Sequence, residues 1–223
     1  GECLVAAGGA VYLNMGTLLP IYEKTLPRTA AAAQAAEKPW VLDPVGIGIG
    51  SLRTELLSQL KKFKPSIVRG NASEIIALAK LWGLDESAGS ELGPRGVDST
   101  DTVEAARSAA VALARYTGGA VAVSGEKDLV TDGKTVAISV GGSALMEKVT
   151  GFGCSQGGVL AVYATATDPF TAALAGVAHY NVAGARAAQV ADAPASFKTA
   201  FIDELYRATA ADIANNPLEL QEA

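Results

Sequence analysis

Short apolar runs alternate along this chain with longer alanine-rich or amphipathic stretches, and the alternation predicts its elements. Ala10-Val11-Tyr12-Leu13-Asn14 reads as a short buried strand closed by Met15-Gly16-Thr17, and about Ile21 to Glu37 as a helix. Pro39 to Val45 is a second strand stopping at Gly46-Ile47-Gly48-Ile49-Gly50, and Ser51 to Phe63 is the next helix. Ser66 to Gly70 is a third strand, with Asn71 capping a helix that runs through Trp82. Beyond a looser stretch containing Gly93-Pro94, Asp101 to Tyr116 is helical, Ala120 to Gly125 is a strand, and Leu129 to Val140 is a hairpin turning at Thr131-Asp132-Gly133-Lys134. The remainder predicts helices over about Gly153 to Thr167, Pro169 to Val190 and Pro194 to Asn215. Strands alternating with helices at this spacing imply an α/β fold, with a mainly parallel sheet and helices on both faces. No repeat, long linker or change of composition divides the chain, so residues 1–223 read as one domain.

Composition narrows the class. Of 223 residues, 49% are apolar and only 18% charged, which excludes a disordered chain. There are 43 alanines but only 6% aromatics, so the core has to be made by close helix packing. Twenty-three acids against 18 bases, a net charge of −5, supply no basic field for nucleic acid. Cys3 and Cys154 are far apart and the chain has one histidine, so neither a disulfide framework nor structural zinc is expected, and the default home is reducing and cytoplasmic. Every apolar run is interrupted before about 18 residues, which gives no expectation of a membrane partner.

Two phosphate-like motifs do not hold. Asp128 to Thr135 ends like a P-loop, but Asp128 stands where the first glycine belongs, and a strand follows where a helix is required. Gly46-Ile47-Gly48-Ile49-Gly50 falls short of the dinucleotide spacing and reads as a plain βα turn. His179, within an apolar helix, reads as a packed or capping residue.

Two other segments carry candidate chemistry. In Thr150-Gly151-Phe152-Gly153-Cys154-Ser155-Gln156-Gly157-Gly158, glycines lead into a long apolar helix, so the backbone N–H groups of residues 151–154 and the helix dipole favour an anion. Cys154 lies in the first helical turn, where the same field favours a thiolate; a small residue buried at a helix start is the other reading. In Arg69-Gly70-Asn71-Ala72-Ser73-Glu74, the arginine can grip a phosphate, while Asn-x-x-Glu is equally the pattern of a capping box. Asp43 ends the preceding strand and Ser124-Gly125-Glu126 a later one. In an open α/β sheet these strand ends share one crevice, where Asp43 and Glu74 offer two carboxylates to Mg²⁺.

Together, Val41 to Val45, Val68 to Glu74, Gly96-Val97-Asp98-Ser99, Val123 to Gly133 and Leu145 to Ser155 resemble the hydroxyethylthiazole kinase family, in the family's order from about Val11 to the last helix. The resemblance implies a three-layer ribokinase-like fold. It implies transfer of the ATP γ-phosphate to 4-methyl-5-(2-hydroxyethyl)thiazole in thiamine salvage, with Mg²⁺ as cofactor and a homotrimer as the assembly. Position by position it makes Arg69, Ser124 and Asn71 ATP-binding, Gly151 substrate-binding, Gly151 to Cys154 (with Phe152 and Gly153) the anion hole, Cys154 the group beside the accepting hydroxyl, and Asp43 and Glu74 the metal acids. Two departures stand out. Phe152 replaces the threonine of the family's usual Gly-Thr-Gly-Cys, and the family's upstream segment, with its substrate-contacting methionine, is not among these 223 residues. A ribokinase-like kinase of hydroxymethylpyrimidine or pyridoxal, and a non-catalytic relative that binds nucleotide or thiazole, are the competing readings.

Overall fold

The computed structural model describes residues 1–84 and 102–223; the Gly93-Pro94 and Gly96 to Ser99 segments and Asp101 lie outside them. In chain order the elements are α1 (Glu2–Ala7), β1 (Val11–Asn14), α2 (Tyr22–Ala35), β2 (Trp40–Asp43), α3 (Ser51–Leu60), β3 (Ile67–Asn71), α4 (Ala72–Leu81), α5 (Arg107–Thr117), β4 (Ala120–Ser124), β5 (Lys127–Thr131), β6 (Thr135–Val140), α6 (Phe152–Tyr163), α7 (Pro169–Ala187), α8 (Pro194–Arg207), α9 (Ala210–Ala214) and β7 (Leu218–Glu222). The strands form one sheet in sequence order. β1 to β4 are parallel, and β4 to β7 are antiparallel. The sheet is therefore mixed, with its parallel half at the N-terminal side.

Two apolar layers follow from the period of two along each strand. Leu13, Leu42, Val68, Val121 and Val123 face the layer built with α2, α3, α4 and α5. Val41, Ile67, Ala120, Ala122 and Val130 face Leu160, Ala161, Ala172, Ala173 and Val177 of α6 and α7. Strands buried on both faces read as continuous apolar runs, which is why β2 and β4 are visible in the sequence, while β3 shows by Ile67-Val68 ahead of the Asn71 cap. The alanines matter here: Ala172, Ala173, Ala183 and Ala187 are all inaccessible to solvent and let α7 lie close to its neighbours. His179 takes the capping role expected of it, meeting the Tyr163 hydroxyl at 3.1 Å and the Leu205 carbonyl of α8 at 2.7 Å.

Four expectations change. α5 starts at Arg107, six residues later than periodicity suggested, because Val103 to Ala106 form turns. The last predicted helix is two: Ala208 is extended, and Thr209 opens α9 through a capping box with Asp212. β7 was missed because Leu218-Glu219-Leu220-Gln221-Glu222 is a mostly exposed edge strand without a β-branched residue. α1 was missed because it buries only Val5. The hairpin stands as expected, with Asp132 Oδ1 accepting the Lys134 and Thr135 N–H groups, so Lys134 sits in a turn and not at a helix start. No described helix is long and apolar enough to cross a membrane.

The longest helix, α7, depends on its cap. Asp168 accepts the N–H groups of Phe170 and Thr171, and the bond from Thr171 heads the causes that hold its carboxyl below the usual range. Asp168→Ala is expected to cost about 1 kcal/mol at pH 7 by urea unfolding. A depressed carboxyl contributes stability above its unfolded value that is lost as pH falls through its folded value, so the gap should shrink below pH ~4.

Candidate active site

The parallel strands deliver their C-terminal residues to one crevice. Asn14 is in register with Asp43, and Asn71 with Ser124. Arg69, two residues before the end of β3, reaches into the middle of this row. It is 7% exposed, and its nitrogens are spread over three elements: Nε donates to Gln156 Oε1 at 3.0 Å, Nη2 to Ser124 Oγ at 2.8 Å, and Nη1 lies 3.6 Å from Asp43 Oδ2. Five N–H donors belong to a guanidinium, so beyond its partners among the described residues donors remain on Nη1 and Nη2 for a ligand.

The start of α6 rests on this guanidinium. Gly151 is the N-cap, at φ +93°, a left-handed conformation that favours glycine, and a Cβ there would meet no described atom within 4 Å. A Cβ at Gly153 would come within 2.7 and 2.8 Å of Arg69 Nη2 and Nη1, so any other residue there would have to push the guanidinium off its partners. Gly153 and Cys154, in the first turn, present N–H groups that have no carbonyl within the helix. Phe152 corrects the expected anion hole. Its N–H turns back to the Val149 carbonyl at 3.3 Å, and its ring packs away from the crevice, 5.8 Å from Phe197 and 4.5 Å from Phe201 between centroids.

The two acids have other work than the metal ligation expected of them. Glu74 completes a capping box with Asn71: its Oε2 accepts the Asn71 N–H at 2.9 Å while Asn71 Oδ1 accepts the Glu74 N–H at 2.9 Å. Its Oε1 accepts the Gly46 N–H at 3.2 Å, so one carboxylate ties the β2–α3 turn to the β3–α4 turn. Asp43 is inaccessible to solvent; Oδ1 accepts the Val45 N–H, and Oδ2 accepts the Tyr12 hydroxyl at 2.8 Å and Asn14 Nδ2 at 3.1 Å. Burial pushes both carboxyls above their usual range; Arg69 opposes this for each of them. Both acids are buried, and every carboxylate oxygen of the pair already accepts a hydrogen bond from the protein, so neither is presented here as an open Mg²⁺ ligand. Among the described residues no group of three or more His, Cys, Asp or Glu could hold a metal ion.

Four participants were not singled out from sequence. Tyr12 and Asn14 lie two apart on β1 and so share a face; Tyr12 accepts from Asn14 Nδ2 at 2.8 Å and its hydroxyl lies 2.5 Å from the Cys154 carbonyl oxygen. Gln156 supplies the Arg69 contact already given. Asp128, buried at the start of β5, accepts the Gly125 N–H at 3.1 Å and Asn181 Nδ2 at 2.9 Å, fixing the turn that follows Ser124. Burial pushes its carboxyl up to about 6. The signal available for Asp128 was an acid at a strand start, two residues beyond the Ser124-Gly125-Glu126 segment; Tyr12, inside β1, carries none.

Comparison with known proteins agrees with the geometry. The profile of the "Hydroxyethylthiazole kinase family" matches residues 2–211. A hydroxyethylthiazole kinase of Bifidobacterium longum (strain DJO10A) is 49% identical over 230 residues, covering 96% of this chain and 73% of that protein, and one from Bifidobacterium animalis subsp. lactis (strain AD011) is 45% identical over 226 residues, covering 97% and 75%. Among solved structures, the hydroxyethylthiazole kinase protein of Pyrococcus horikoshii OT3 superposes with a TM-score of 0.84 at 27% identity, over 100% of this chain and 80% of that one. A pyridoxal kinase from Staphylococcus aureus, at a TM-score of 0.62 and 20% identity over 100% of this chain and 75% of that one, shares the ribokinase-like fold.

Two outcomes follow from this geometry. Phe152→Thr should lower stability by on the order of 3 kcal/mol in urea unfolding, since it removes a buried ring from the α6–α8 packing. An unchanged unfolding midpoint would show that the ring does not anchor α6. Asp128→Asn should gain on the parent protein as pH rises. A carboxyl raised from its ordinary value to about 6 contributes stability below the unfolded value that is lost as pH climbs through the folded one. Urea midpoints from pH 4 to 8 should show the difference moving in the variant's favour by on the order of 2–3 kcal/mol.

Proposed function

The chain belongs to the hydroxyethylthiazole kinase family, and from that premise we propose how its site works. The protein transfers the γ-phosphate of ATP to the hydroxyl of 4-methyl-5-(2-hydroxyethyl)thiazole, a salvage step of thiamine synthesis. The observation that carries the reading is the first turn of α6 seated on the Arg69 guanidinium at the C-terminal ends of parallel strands.

On this reading the free donors of Arg69, with Ser124 and Asn71 beside it, hold the ATP phosphates. The N–H groups of Gly153 and Cys154 face the phosphoryl group in flight, where charge spreads over its peripheral oxygens. Gly151 leaves room at the helix start for the thiazole alcohol. Its hydroxyl oxygen forms the new bond to the γ-phosphorus as the bond to the β,γ-bridging oxygen breaks and ADP leaves, and the hydroxyl proton passes to an oxygen of the transferred phosphoryl group and on to solvent. Cys154 sits beside that hydroxyl and orients it more than it acts as an indispensable base. Asp43 and Glu74 act as braces of the two βα turns, so Mg²⁺ on the transferring phosphates would have to be held by the nucleotide and water. We extend the same family reading to a single kinase domain over residues 1–223, a cytoplasmic home and a homotrimer, which sedimentation equilibrium would test.

Incubation with the thiazole alcohol and ATP should yield ADP and the monophosphate. Activity only on a pyrimidine or pyridoxal alcohol would replace the acceptor, and nucleotide binding without any product would make the protein a binder. Arg69→Lys keeps a charge beside Asp43 but loses the planar fork. Its KM for ATP should rise at least tenfold, the equivalent of about 1.5 kcal/mol for a charge-assisted bond. An unaltered KM would take Arg69 out of the nucleotide site.

A further inference from the structure

We propose that Tyr12 is a positioning residue for the phosphoryl transfer, locking the first turn of α6 against the sheet through the Cys154 carbonyl. Like the Arg69 guanidinium, the hydroxyl touches both halves of the site. It lies 2.8 Å from Asp43 Oδ2 on β2 and 2.5 Å from the Cys154 carbonyl oxygen on α6, and its own oxygen is held from behind by Asn14 Nδ2 at 2.8 Å. One proton shared between two acceptors, with a third group fixing the oxygen, leaves the phenol little freedom.

The ring is fitted as closely as the hydroxyl. A Cβ at Gly157, one turn further along α6, would come within 2.3 Å of Tyr12 Cε2, 2.6 Å of Cζ and 2.8 Å of the hydroxyl oxygen. Glycine inside a helix is unfavourable, and at this position it is what admits the tyrosine. The consecutive residues Gln156 and Gly157 thus both face the site, one bonding Arg69 and the other receiving Tyr12. Burial and the neighbouring Asp43 charge keep the phenol protonated well above its ordinary range, so it remains a donor throughout the working pH.

The turn is then gripped from two sides. Phe152 anchors it outward among Phe197 and Phe201, and Tyr12 holds it inward. Donors aimed at a developing charge accelerate transfer only while their position is fixed beforehand. Arg69 keeps Gln156, Ser124 and Asp43 as partners whether or not the phenol is present, so nucleotide affinity does not depend on Tyr12 in the same way.

The test uses a Cys3→Ser background, so that Cys154 is the only thiol. Tyr12→Phe should fold, lower kcat at least tenfold and change KM for ATP by less than threefold, while Cys154 is alkylated severalfold faster. Tyr12→Val combined with Gly157→Ala should refill the space vacated by the ring and bring Tm back to the parent value with kcat still low. A kcat that returns with Tm in that double variant, or a Tyr12→Phe kcat within twofold of the parent, overturns the proposal, since either marks a residue that only packs. The kinetic arm rests on the kinase reading. Should the parent protein not phosphorylate the thiazole alcohol, that reading alone falls, and the alkylation rates of the folded variants decide on Tyr12.

Discussion

One buried guanidinium organises the site. Arg69 exerts a pull on Asp43, Glu74 and Asp128 together, three carboxylates that are each less than a tenth exposed and that come from β2, α4 and β5. Removing one partner from such a buried set leaves an uncompensated charge and costs several kcal/mol, so the strand ends are bound to each other through this group as firmly as through the sheet. The bond to Gln156, and the absence of a side chain at Gly153 where a Cβ would meet the guanidinium, then pass that fixed position on to α6.

The acids are more informative as braces than as ligands. Each spends at least one oxygen on an N–H group at a turn that follows a strand: Asp43 on Val45, Glu74 on Gly46 and Asn71, Asp128 on Gly125. A turn N–H next to an active site has to be satisfied somewhere, and a buried carboxylate satisfies it with a charge-assisted bond. The loops that carry function are thereby held by the scaffold beneath them, and their glycines are free to face the ligand side.

Legibility from sequence follows the same division. β2 and β4 are readable because burial on both faces leaves unbroken apolar runs, and β3 and α4 because Asn71 and Glu74 spell the capping box where one ends and the other begins. β7 is not, since an exposed edge strand needs only backbone partners, and the break at Ala208 turns on a single extended residue. In the candidate site, Asp43 and Ser124 stand out because each ends a strand, Gly151 and Gly153 because they open a helix, and Arg69 because it immediately precedes the Gly70-Asn71 junction and its capping box. Tyr12 and Gln156 do not, because their value depends on which residue of another element they meet: Gly157 and Cys154 for one, Arg69 for the other. Phe152 carried the opposite risk. Its position beside the glycines suggested the anion hole, and only the direction of its ring and N–H shows that it belongs to the outer packing.

Charge balance explains why the helix start has to take part. Three buried acids against one buried cation leave these side chains negative in sum, which on its own would repel a triphosphate. Positive potential without a further buried side chain is available from the unpaired N–H groups and dipole of a helix N-terminus. Such potential reaches only about one turn, so it is useful only if that turn is brought into contact with Arg69 and kept there. Glycine at 153 permits the contact, Phe152 and Tyr12 keep it, and the low helix propensity of the opening turns of α6 is the consequence of meeting both demands with one segment.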